Sequence, residues 1–151
     1  MLSKIYSVTL EGIKGLICEV EVDVSRGGFD KPLIVGLPDT AVKESIERVR
    51  SAIVNSGFKY PDTKSLVNLA PADVKKAGPA FDLPIALGIL AASGSLLSDN
   101  LKRFLIVGEL ALDGRVRPVN GVLSMALAAA ENGSPDMIGR SIWQCRSNHC
   151  R

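Results

Sequence analysis

The sequence predicts an α+β domain: a mixed, mostly antiparallel sheet packed against helices, with one fully buried central helix. Three stretches carry this expectation. Gly15–Val24 alternates, with Leu16, Cys18, Val20 and Val22 on one face and Glu19, Glu21 and Asp23 on the other, as a half-buried antiparallel strand does. Leu83–Ala92 is apolar all round, and a helix with no polar face must be buried on all sides. Asp113-Gly114, between Phe104–Leu110 and Arg115–Val119, is a strong hairpin signal. Strands first, then helices mixed with hairpins, fit layered α+β packing better than a doubly wound sheet.

The remaining elements follow in order. Ile5–Leu10 reads as a strand joined to Gly15–Val24 through a Glu11-Gly12 turn, and Leu33–Leu37 as a short apolar strand. Pro38-Asp39-Thr40 offers N-cap residues to a helix over Ala41–Ser56, whose stripe of Val42, Ile46, Val49 and Ile53 is amphipathic. Gly57 is the glycine expected just past its end. Ser65–Ala70 is a strand that turns at Pro71 into a polar segment holding Lys75 and Lys76, then a tight Gly78-Pro79 turn. Asp82 stands where an N-cap of the apolar helix would be, with Pro84 in its first turn. The N-terminus of that helix, with its partial positive charge, is the natural place for chemistry or anion binding. Gly121–Asn132 is a helix of small residues closed by Gly133.

Composition narrows the function classes. The chain has 151 residues, 46% of them hydrophobic and 23% charged, enough for one domain with a real core. A formal net charge of +2 gives no bulk electrostatic case for nucleic acid, so any basic footprint must be local. The longest apolar run, Leu83–Leu97, is broken by Gly88 and Gly94 and falls short of the roughly 20 residues that span a bilayer. No charged-then-apolar leader opens the chain, so the expectation is a cytoplasmic protein without a membrane partner. Cys18 reads as a buried thiol, and Cys145 and Cys150 do not make a secreted disulfide framework.

Three long stretches, Gly36–Phe58 (GLPDTAVKESIERVRSAIVNSGF), Asn68–Gly94 (NLAPADVKKAGPAFDLPIALGILAASG) and Gly108–Gly121 (GELALDGRVRPVNG), together resemble the amino-terminal domain of the ComM/YifB family. These are bacterial magnesium-chelatase-like AAA+ proteins, and the resemblance covers roughly residues 1–133. It implies a Lon-protease-like domain set before an ATPase module. In the ComM branch it implies a hexameric, ATP-driven branch-migration motor acting on DNA in natural transformation. No G-x-x-x-x-G-K-[ST] loop occurs in this sequence, so nothing here would cradle a triphosphate. ATP and Mg would belong to the missing AAA+ module, and this chain would hold no cofactor and no metal.

The likeness to Lon also implies where a Ser/Lys dyad would lie. A serine hydroxyl needs a nearby amine to take its proton, so both groups are required. The serine position, just after Gly78-Pro79, is Ala80; the lysine position, just after the Gly114–Gly121 segment, is Leu123. Both halves of the dyad are absent. Ser93, Ser95 and Ser124, with Lys75 and Lys76, are the hydroxyls and amines that could substitute, and none has dyad-like placement. The expectation is therefore a non-catalytic domain serving assembly, docking or DNA contact. The alternatives are a degenerate Lon-type Ser/Lys peptidase or part of a chelatase-type ATPase subunit. If DNA or a partner is touched, the candidate contacts are Lys75, Lys76, Arg115 and Arg117, with Arg48 and Arg50 along the first helix.

Ser134–Arg151 departs from the family pattern, which would continue with an apolar strand and an Ala/Glu-rich helix. Cys145, His149 and Cys150 lie close together but have no second ligand pair at finger-like distance, so they do not argue for zinc. The domain is expected to end at residue 133, and residues 134–151 to be a disordered or frameshifted tail.

Overall fold

The computed structural model describes residues 1–25, 32–96 and 101–132, together with the backbone of 136–138. The tail residues 139–151, with Cys145, His149 and Cys150, lie outside the described residues.

Strands β1 (Leu2–Glu11) and β2 (Lys14–Ser25) form a long antiparallel hairpin in register from Leu2↔Asp23 to Glu11↔Lys14. After β3 (Leu33–Val35) and helix α1 (Thr40–Asn55), strand β4 (Lys64–Ala70) pairs antiparallel with β2. A single 3-10 turn, Pro79–Phe81, leads into helix α2 (Asp82–Ala92). Then come β5 (Phe104–Ile106), the two short strands β6 (Glu109–Leu110) and β7 (Val116–Arg117), helix α3 (Val122–Glu131) and β8 (Asp136–Ile138). The main sheet has six strands in the order β3-β4-β2-β1-β5-β8, and β6 and β7 make a separate two-stranded sheet.

The fold is α+β with a mixed sheet, and one expectation about its strands needs correction. In the main sheet the long central pairings β1–β2 and β2–β4 are antiparallel, while the shorter β3–β4, β1–β5 and β5–β8 are parallel. Parallel neighbours need a crossover, and α1 supplies it between β3 and β4, α3 between β5 and β8. Phe104–Leu110, expected as one strand, is two. It breaks at Gly108, whose N–H donates to the Ala80 carbonyl (2.9 Å) and whose carbonyl accepts from the Leu83 N–H (3.0 Å). A residue whose backbone bonds are used at the head of a helix cannot also continue a ladder. The sheet also reaches Asp136–Ile138, three residues that fall inside the 134–151 segment.

Each face of the sheet carries its own core. On one face Ile5, Val20, Val22, Val67 and Leu69 pack against the apolar stripe of α1 and against α2. All of α2 except Leu83 and Leu87 is buried. Gly88 lets α2 approach the sheet, since a Cβ there would lie 2.6 Å from a Val22 methyl. On the other face Val8, Val107, Met125 and Ala128 form a smaller cluster under α3.

Candidate functional site at the Gly78–Ala80 corner

The corner is assembled from segments distant in sequence. After β3 the chain makes a turn at Gly36 and Leu37, with Leu37 held at φ 54°. Gly36 is required there, because a Cβ would come within 2.0 Å of the Leu69 carbonyl oxygen. Backbone bonds fix this turn to the segment before α2: the Lys76 N–H donates to the Leu37 carbonyl (3.2 Å) and the Asp39 N–H to the Lys76 carbonyl (2.9 Å). Asp39 then works in two directions. One carboxylate oxygen caps α1 by accepting from the Val42 N–H (2.8 Å), and the other accepts from the Gly78 N–H (3.1 Å). The sequence offers Pro38-Asp39-Thr40 as capping residues but gives no sign of the clamp from Asp39 to Gly78.

Asp82 is not the N-cap of α2. It makes no side-chain capping bond there, and lies fully buried between α1 and α2. Arg48 of α1 donates to it twice, through Nε (2.8 Å) and Nη2 (3.0 Å), and the Leu110 N–H donates a third bond (3.1 Å). The pair is bidentate, the geometry in which a guanidinium and a carboxylate hold each other best. Burial pushes the Asp82 carboxyl above the usual carboxylate range, opposed by these hydrogen bonds, while the bond to Asp82 pushes the Arg48 guanidinium up.

Beside this frame lies a cavity of about 280 Å³. Ala77, Gly78, Pro79 and Ala80 form one wall, Val8, Thr9 and Leu10 of β1 another, and Pro118, Val119 and Asn120 with Glu109 and Met125 the rest. The lining is mainly apolar and, among the described residues, includes no serine, cysteine, lysine or histidine. The Thr9 hydroxyl in this lining faces the Lys75 carbonyl at 3.5 Å. Ala80 is thus a wall of the cavity, whereas Leu123 is 76% exposed and does not line it.

The six candidate basic residues are not brought to one face. Lys76 is corrected outright: it is fully buried, its ammonium donates to the Pro71 carbonyl, and burial pushes it below the usual lysine range. It faces Cys18, whose thiol burial pushes up. A side chain in that position is not available to a phosphate. Arg48 is committed to Asp82, and Arg50 lies over the Tyr60 ring, 5.5 Å from its centroid. Arg115 pairs with Asp113 (2.7 Å) and Arg117 with Glu109 (3.2 Å), so both exposed arginines on the hairpin carry an acidic neighbour. Lys75 is exposed. Among the described residues no group of three or more His, Cys, Asp or Glu could hold a metal ion, and no helix is long and apolar enough to cross a membrane.

These elements correspond to a known family. A family model described as the subunit ChlI of Mg-chelatase matches residues 20–139. The chain belongs to the ChlI Mg-chelatase-like family. It is similar to the competence protein ComM of Haemophilus influenzae, 49% identical over 133 residues that make up 87% of this chain and 26% of that protein. It is likewise similar to the uncharacterized protein YifB of Escherichia coli, 44% identical over 139 residues, 92% of this chain and 27% of that protein. A more distant likeness, 30% over 96 residues, is to Lon protease 2 of Bacillus subtilis, covering 64% of this chain and 17% of that one. The chain therefore spans about a quarter of the length of the ComM and YifB relatives and matches their N-terminal part.

Proposed function

We propose that this chain is the non-catalytic N-terminal domain of a ComM/YifB-type AAA+ ATPase, a docking and assembly module for a motor that processes DNA in natural transformation. The observation that carries the reading is the cavity at Gly78–Ala80. Its wall has alanine where the Lon likeness calls for a nucleophile, and among the described residues its lining offers no amine to serve as base. ATP and Mg do not fit the residues present, which include no phosphate-binding loop. They belong to the polypeptide that makes up the rest of the relatives, as does hexamer formation. Docking is favoured over DNA contact because Arg48, Arg115 and Arg117 already have carboxylate partners and Lys76 is buried. The identity to ComM, a protein named for competence, favours DNA processing over tetrapyrrole metallation.

The test combines peptide hydrolysis with DNA binding by the isolated chain, titrated across salt. The expected result is no hydrolysis of casein or short peptides and no DNA binding at low salt. Hydrolysis blocked by a serine-directed reagent would overturn the non-catalytic reading. Affinity that falls steeply with salt, and drops on Lys75→Ala or Arg115→Ala/Arg117→Ala, would move the domain's role from docking to DNA contact.

A further inference from the structure

Helix α3 buries one face and leaves another apolar face open. Met125, Ala128 and Ala129 pack inward, while Leu123, Ala126, Leu127 and Ala130 point outward at the three-and-four spacing of a single stripe. Leu123 is 76% exposed and Leu127 57%, so neither leucine is covered by the domain's own core. The alanines between them would let another helix come close, with the leucines as the knobs. At the same end of the molecule the β1–β2 turn exposes Ile13, two residues from the Gly15 that meets Ala128 and the Ser124 carbonyl. Isolated exposed leucines need no explanation, but a stripe along one helix does.

Resting on the docking role argued above, we propose that this stripe is the seat of an apolar segment from the polypeptide that follows the domain, so that α3 is the joint between domain and motor. Two observations choose this occupant over a second copy. The first is area: four side chains of a ten-residue helix cover roughly a few hundred Å², below the roughly 1,000 Å² that a specific interface between free molecules needs. A tethered segment needs far less, because its effective concentration reaches about the millimolar range. The second is continuity. β8 is the next described element after α3, lies at the edge of the sheet and contacts α3, so the polypeptide that makes up the remaining three quarters of the relatives departs from an element packed on this helix.

The experiment reads cysteine labelling at Leu123→Cys and Leu127→Cys, with Val54→Cys on the exposed side of α1 as reference, each site resolved by peptide mass spectrometry. Each variant is made in the 151-residue chain and in residues 1–138 fused to the downstream polypeptide of the Haemophilus influenzae ComM protein. Circular dichroism confirms that the variants keep their helices. The expected result is at least about tenfold slower maleimide reaction at both α3 positions in the fusion, with Val54→Cys unchanged. Equal rates at α3 in both backgrounds overturn the proposal. So does slowing in the 151-residue chain as its concentration rises, which would mark a second copy as the occupant. Protection of Val54→Cys alone would sink this site while leaving a docking role on another face; protection nowhere would sink both.

Discussion

On the face of the sheet covered by α1 and α2, Asp82 and Lys76 are buried and Asp39 half-buried, and each charge is answered. Asp82 has three donors, Asp39 two, and the Lys76 ammonium a carbonyl. On the face covered by α3, contact is made by methyl groups, two leucines stand in solvent, and the helix begins at Gly121 without a side-chain cap. The first region is tied by directional bonds whose loss strands a buried polar group. The second is held by non-directional contact and leaves its outer stripe for something else. A region complete in itself is expected to be brittle to substitution, and an incomplete one tolerant until its partner arrives.

The largest effect belongs to Arg48→Ala, which leaves the Asp82 carboxylate buried without its guanidinium. Breaking such a pair costs about 3–5 kcal/mol, read as a fall in the denaturant midpoint. Replacing both partners, Arg48→Met with Asp82→Leu, should recover most of that loss; failure to recover would mean the two bonds are not what holds the corner. The pH dependence follows from burial. The folded chain binds the Asp82 proton more tightly than the unfolded chain does, so this group's contribution is fully present below the ordinary carboxylate value and is lost as pH rises through its raised folded value. Asp82→Asn should flatten the stability profile over that window.

Asp39→Ala comes next, at about 0.5–2 kcal/mol for the lost cap, with the Gly78 N–H also left without its acceptor. If the clamp on Gly78 matters beyond the cap, the variant should also loosen the cavity wall. That would appear as faster amide exchange at Gly78 and Ala80 than at the far end of α2. Exchange raised only in the first turn of α1 would reduce Asp39 to an ordinary cap.

Much of the first region's scaffold is legible in the sequence. The alternation of β2, the stripe of α1 and the all-apolar α2 each follow from one periodicity, and periodicity is local. What the sequence hides is non-local. Asp82 at the head of a helix looks the same whether it caps that helix or faces an arginine 34 residues away. Lys75 and Lys76 are adjacent and chemically identical, yet one is exposed and the other fully buried, because only Lys76 is drawn into the turn by its backbone bonds to Leu37 and Asp39. Gly108 ends β5 for a similar reason, a bond to Ala80 that no pattern around Gly108 announces. The candidate site was legible to the extent that Gly78-Pro79-Ala80 marks it; the cavity beside it draws on β1 and on residues 118–120, which no spacing joins to Ala80.

A smaller effect tests whether the buried polar groups of the first region are all used. Ser7 has a fully buried hydroxyl with no hydrogen-bond partner among the described residues. Its removal in Ser7→Ala relieves a desolvated group and should leave stability unchanged or raise it by up to about 1 kcal/mol. A loss of that size would reveal a partner for the hydroxyl.

The smallest effect is the one that most sharpens the contrast. Leu127→Gln removes an apolar side chain from the outer stripe of α3, where it is more than half exposed and outside the cluster of core residues under the helix. In the 151-residue chain it should change stability by no more than about 0.5 kcal/mol, the range of surface substitutions away from special features. Joined to a downstream polypeptide that seats on α3, the same change should open the joint and speed proteolysis between domain and motor. A substitution silent in one context and disruptive in the other separates a leucine kept for a partner from one that is merely exposed, whereas Arg48→Ala should weaken the fold equally in both.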